Sequence, residues 1–93
     1  MFLEIVTPES SIFQGDVETV TVPGVDGEFQ MLNNHAPIVS LLQEGKVKFS
    51  GDISIEEAFQ NKFTEGVKNS FELLINSGTI ELKENKIIIL VDN

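Results

Sequence analysis

His35 is the only histidine among the 93 residues, and there is no cysteine. Every imidazole reading therefore rests on one side chain, and thiol catalysis, disulfides and thiolate metal ligands are excluded. As a general base His35 would need a nucleophile and an orienting carboxylate. It stands instead in the turn-like run NNHAPIV, two residues before Pro37, and no serine occupies a strand-to-helix elbow that would expose a nucleophile. Asp26 and Glu28 with His35 could offer a cation three ligands, but zinc sites draw on more nitrogen or sulfur donors. Gly24 and Gly27 are spaced as GxxG without the lysine and helix of a phosphate loop, and a hairpin turn accounts for both glycines. Glu56-Glu57 suits the first turn of a helix, where the dipole favours negative charge. No catalytic, cofactor-binding or metal-ligating residue is identified, and no enzyme activity is expected.

The elements that would position these residues are strands. In KVKFS, Val47 and Phe49 alternate with Lys46, Lys48 and Ser50, which places the apolar pair on one face. FELLIN repeats the pattern with Phe71, Leu73 and Ile75, TIELKE with Ile80 and Leu82, and GEFQML with Phe29 and Met31. KIIILVD is apolar at consecutive positions, as in a strand covered on both faces. FLEIVT and VETVTV are β-branched and alternating. Turn residues punctuate these runs at Pro8, Gly15, Pro23-Gly24, Gly27, Asn33-Asn34, Gly45, Gly51, Gly78 and Asn85. Short strands at such spacing predict a mainly β fold, a two-layered antiparallel β-sandwich in one domain over 1–93. Glu84-Asn85 predicts a tight hairpin turn, since asparagine tolerates the left-handed conformation.

One segment has a different period. In DISIEEAFQNKFTEGVKN, Ile55, Ala58, Phe59 and Phe63 form one helical stripe. Ser54 with Glu57 fits a capping box, and Gly66 is placed to end the helix. The spacing predicts a short amphipathic helix over 55–64, packed on the sheet by that stripe.

Charge and length bound the partners. The formal net charge is −9, and all six basic residues are lysines that begin at Lys46. Phosphate backbones and anionic lipid would repel such a chain, so neither nucleic-acid binding nor direct lipid insertion is expected. No apolar run approaches the roughly 20 residues that cross a bilayer, and no secretory signal is visible. A partner with a neutral or basic surface fits better.

The stretch from Gly27 to Leu42 gathers the odd residues Asn33, Asn34, His35 and Pro37 into one turn. Asparagine suits a turn, and Pro37 biases Ala36 toward extended backbone before a strand begins at Ile38. A purely structural turn and a docking surface both fit these residues. Glu28 lies on the opposite face of its strand from Phe29, and is expected to share a solvent-facing rim with His35.

In order along the chain, LEIVTPE, the F-x-G of Phe13 and Gly15, VETVTVPG, GEF (Gly27–Phe29), NHAPIVSLL (Asn34–Leu42) and the closing INSGTIELKENKIIILVDN resemble the N-terminal domain of the epsilon subunit of F-type ATP synthase. The resemblance omits 51–69, which is expected to be an insertion in a hairpin. It implies a β-sandwich that is a non-catalytic part of the rotor. One sheet surface would pack on the gamma subunit, and the end bearing GEF and HAP would rest on the polar, partly basic loops of the membrane c ring. Carried over, Glu28 and His35 are the expected c-ring contacts, with Asn33, Asn34, Ala36 and Pro37 shaping the turn. The resemblance further implies a peripheral position on the cytoplasmic face of a bacterial membrane, no cofactor and no functional homo-oligomer. Gln30 and Asn33 stand where the family often has glycine and proline, and Ser77-Gly78 where it has a glycine pair. Family members usually continue into a C-terminal helical hairpin; with 93 residues ending after the last strand, neither inhibition by that hairpin nor ATP binding is expected. The rival reading is a free-standing β-sandwich module that binds a protein or small ligand.

Overall fold

A computed structural model describes residues 1–93. Ten strands follow the alternating runs: β1 (Phe2–Val6), β2 (Ser11–Asp16), β3 (Thr19–Gly24), β4 (Gly27–Leu32), β5 (Ile38–Leu42), β6 (Gly45–Ser50), β7 (Thr64–Glu65), β8 (Ser70–Ile75), β9 (Gly78–Lys83) and β10 (Lys86–Val91). They form one continuous ladder in the order β2-β1-β10-β9-β5-β3-β6-β8-β7, with β4 on the free side of β3. The ladder curls over at the β5–β3 junction, where Gly24 opposite Leu42 is the single pairing, and so makes the two layers of a β-sandwich. Every pairing is antiparallel except β1 with β10, the first and last strands, which run parallel from Phe2 opposite Lys86 to Val6 opposite Leu90.

Period-two alternation decides which side chains meet in the middle. Leu3 and Ile5 of β1, Ile87, Ile89 and Val91 of β10, and Ile80 and Leu82 of β9 face Val20 and Val22 of β3, Met31 of β4, Val47 and Phe49 of β6, and Leu73 and Ile75 of β8 across the core. No polar side chain is buried. A register shift between Ile5 and Val6 where β1 meets β2 lets the consecutive residues Ile12 and Phe13 both enter the core. The Glu84-Asn85 turn has φ of 51° and 61°, the doubly left-handed pattern of a type I′ hairpin.

The short helix expected over 55–64 is present as a 3₁₀ helix, Glu57–Lys62. Its bonds are of the tighter type, from Phe59 N–H to Glu56 O at 2.9 Å and from Phe63 N–H to Gln60 O at 3.3 Å. Ser54 forms no capping box; Glu56 holds the N-cap position without a side-chain cap bond, and Phe63 is already extended at φ −115° and ψ 149°. Gly66 follows the two-residue strand β7 instead of closing a helix. The two large apolar groups at the ends of the segment explain the difference. Ile55 and Phe63 are both buried, whereas nothing between them is. Anchoring both ends leaves about one and a half turns, too few to offset the cost of α-helix nucleation. Phe63 completes an aromatic cluster, its ring centroid 5.6 Å from Phe49 and 6.5 Å from Phe13. Ile55, Phe63 and the partly buried Phe59 thus pack on the chain's own sheet, while Ala58 is exposed.

Gly78 is the tightest point in the ladder. A Cβ there would clash with the Leu90 carbonyl oxygen, a backbone atom of β10 that cannot swing aside. Gly78→Ala is expected to lower stability by about 1–3 kcal/mol, seen as an earlier midpoint in urea denaturation. An unchanged midpoint would show that the β9–β10 ladder opens at no cost.

Candidate functional site

β4 carries both ends of the expected contact surface. It pairs only with β3, from Thr19 opposite Leu32 to Gly24 opposite Gly27, so its other edge has no strand partner. Glu28 lies near the start of β4, opposite Pro23, exposed, with its carboxylate 3.7 Å from Lys48 Nζ on β6. His35 lies just beyond the other end. Four strand residues at roughly 3.3 Å each separate Glu28 from Leu32 by about 13 Å, and the turn adds to that. The expectation that Glu28 and His35 share one rim is therefore corrected: they mark opposite ends of the same edge strand. Alternation fixes the face that Glu28 occupies, but not the end of the sheet at which that face is met.

The turn is built as its residue types suggest. The His35 N–H donates to Leu32 O at 3.1 Å, and Asn34 has φ 64°, a left-handed position that asparagine tolerates. Asn33, Asn34, His35, Ala36 and Pro37 are all exposed. His35 Nδ1 lies 2.7 Å from the Ala36 carbonyl oxygen. A carbonyl only accepts, so Nδ1 carries the hydrogen, and Nε2 is left for groups outside the chain. The asparagines are tied to a residue that was legible only as a turn former. Asn85, at the β9–β10 turn, accepts the Asn34 N–H on Oδ1 at 2.8 Å and donates from Nδ2 to Asn33 Oδ1 at 3.0 Å. The same Asn33 oxygen accepts from the Met1 amino group at 3.0 Å. Nothing in local sequence signals contacts between residues 51 and 52 positions apart.

The two outer faces of the sandwich differ. On the layer β4-β3-β6-β8 the outward residues are mostly polar: Gln30 Nε2 donates to Thr21 Oγ1 at 3.2 Å, and Lys46 lies 3.4 Å from Glu72, with Leu32 and Leu74 the exposed apolar exceptions. On β5, β9 and β10 of the other layer, Val39 and Leu41 are 75% and 62% exposed and Leu90 50%. Leu41 and Leu90 flank Thr79 from either side, and Val39 and Ile88 flank Glu81, so apolar side chains line this outer face on β5 and β10 with a polar strip from β9 between them. Large exposed apolar groups gathered on one face mark a candidate docking surface. The run IVSLL carried the signal, since Val39 and Leu41 fall on the face that alternation would make polar.

No three His, Asp or Glu side chains converge as a metal would require. A cleft of about 500 Å³ between the 3₁₀ segment and β8 is lined in part by Ile53, Phe63 and Phe71.

Comparison with known proteins gives one answer. A family model described as ATP synthase, Delta/Epsilon chain, beta-sandwich domain, matches residues 1–93. An ATP synthase epsilon chain from a Nitratiruptor species is 41% identical over 90 residues, which is 97% of this chain and 59% of the relative. One from Chlorobium limicola is 36% identical over 91 residues, covering 98% of this chain and 88% of the relative. The chain thus spans about three-fifths of the first relative and most of the second. A chain in the central stalk and c-ring structure of Tetrahymena thermophila mitochondrial ATP synthase superposes with a TM-score of 0.75 at 17% identity, over 100% of this chain and 63% of that one; at that identity the likeness is one of fold. The ten-stranded sandwich and the matched sequence agree, and the chain belongs to the β-sandwich domain family of the ATP synthase delta and epsilon chains.

Proposed function

We propose that the chain is a non-catalytic central-stalk subunit of an F-type ATP synthase, peripheral to the cytoplasmic face of a bacterial membrane. It docks to the gamma subunit through the outer face of β5, β9 and β10, by the apolar side chains that β5 and β10 expose there. Along its β4 side, from Glu28 to the 33–37 turn, it meets the polar loops of the c ring, and as part of the rotor it links ion translocation to ATP synthesis. The observation that carries this reading is the uncovered apolar face at Val39, Leu41 and Leu90, on a domain whose relatives are named ATP synthase epsilon chains. A folded domain that exposes this much apolar surface to water gains free energy when a partner covers it. The opposite outer face, with two ion pairs and only two exposed leucines, Leu32 and Leu74, offers a smaller gain. The net charge of −9 favours approach to partly basic ring loops, and sets orientation and rate of docking more than final affinity.

Affinity capture with the gamma subunit tests the reading, and absence of a complex at every salt concentration would overturn it. For the β4 side, Glu28→Lys combined with His35→Ala is expected to slow docking on the ring roughly tenfold at low salt and less at high salt. The far-ultraviolet circular dichroism should be unchanged, because both residues are exposed and the ion pair of Glu28 with Lys48 is worth at most about 1 kcal/mol. Loss of the folded spectrum would instead mean that the turn is purely structural.

A further inference from the structure

Segment 33–37 has no strand partner until Ile38 enters the ladder opposite Leu82. What holds it from the other side is Asn85. The half-buried carboxamide of Asn85 accepts the Asn34 N–H at 2.8 Å and donates to Asn33 Oδ1 at 3.0 Å. Asn85 is itself fixed by the type I′ turn at φ 61°, and its backbone carbonyl accepts the Phe2 N–H at 3.1 Å. One residue therefore ties together the start of β1, the β9–β10 turn and the turn that presents His35. Only an amide supplies both the acceptor and the donor that two successive turn residues require here; a carboxylate lacks the donor and a hydroxyl lacks the reach.

We infer that Asn85 is a positioning residue, whose carboxamide clamps Asn33 and Asn34 and thereby sets the direction in which His35 is presented. A turn ordered before docking does not lose that freedom on binding, so the clamp contributes affinity without touching the partner. The partner, polar loops of the c ring, rests on the reading proposed above; the clamp itself does not.

Asn85→Gly removes both side-chain bonds and keeps the left-handed backbone at no steric cost. In the full chain it is expected to speed hydrogen exchange at the Asn34 amide about tenfold and to displace that amide's NMR resonance. Binding to detergent-solubilised c ring should weaken by roughly 3- to 10-fold, while gamma binding stays as in the native chain. Asn85→Asp retains the acceptor for Asn34 and should restore its slow exchange. Unchanged exchange at Asn34 in Asn85→Gly overturns the clamp. Faster exchange with undiminished ring binding, when His35→Ala does weaken ring binding, overturns the positioning role. If His35→Ala binds the ring as the native chain does, the ring contact of the turn fails as a reading, and the exchange result alone decides the clamp.

Discussion

Phe49→Ala is expected to cost about 3–5 kcal/mol of folding stability, as much as half of what a domain of this size has to lose. Phe49 is 1% exposed, and its ring centroid lies 4.8 Å from Phe13, 5.6 Å from Phe63 and 6.1 Å from Phe71. Truncation would leave a void ringed by three aromatic side chains anchored on β2, β8 and the end of the 3₁₀ segment. These come from distant parts of the chain, so they cannot all close in together, and the cavity contribution adds to the lost transfer free energy. Phe59→Ala supplies the contrast. That ring is only half-buried against the core, and its loss should cost about 1 kcal/mol. Urea denaturation of the two variants measures both. Equal losses would mean that the aromatic cluster is not the keystone of this end of the sandwich, and that the 3₁₀ segment is held by something else.

Leu41→Asp is expected to weaken binding to gamma by about 30-fold, the loss that follows when one well-packed interface residue worth roughly 2 kcal/mol is replaced. Leu41 is 62% exposed in the free chain, so the substitution removes little from the core and the thermal midpoint should scarcely move. In the complex it would bring an ionised carboxylate beside Val39 into a desolvated contact without a partner. Lys46→Gln on the opposite outer face serves as the control. Its loss removes one exposed ion pair with Glu72, worth little, and should leave gamma binding within a factor of about two. A Leu41→Asp chain that is folded and binds gamma as tightly as the native one would show that gamma docks elsewhere.

The two residues illustrate different degrees of legibility. Phe49 was readable as a core position because KVKFS alternates, and alternation on a pleated strand is a local consequence of backbone geometry. Leu41 was readable as apolar but not as exposed. Its neighbours in IVSLL are apolar as well, and a run without alternation does not say which of its faces is covered. The same limit explains Glu28 and His35. Residue type identified both as exposed, but only the β3–β4 register placed Glu28 opposite Pro23 and the turn beyond Thr19, with about 13 Å of strand between them. The helix near 55–64 was legible in its place but not in its type or exact length. Ile55 and Phe63 of its stripe are buried, and tethering both to the sheet left room for 3₁₀ turns alone.

By itself, the sequence determined what depends on near neighbours along the chain: the strands and their inward faces, the left-handed turn at Glu84-Asn85, the absence of thiol chemistry, and, through ordered motifs, the family. The tertiary structure alone decided what depends on residues far apart in sequence. It paired β1 with β10 in parallel, packed Phe13, Phe49, Phe63 and Phe71 into one cluster, and left Val39, Leu41 and Leu90 uncovered on a single face. It also brought Asn85 across 51 residues to hold the turn of Asn34. Register and closure of the sheet settle these, and both are set by the sum of many weak contacts that no short stretch of residues contains.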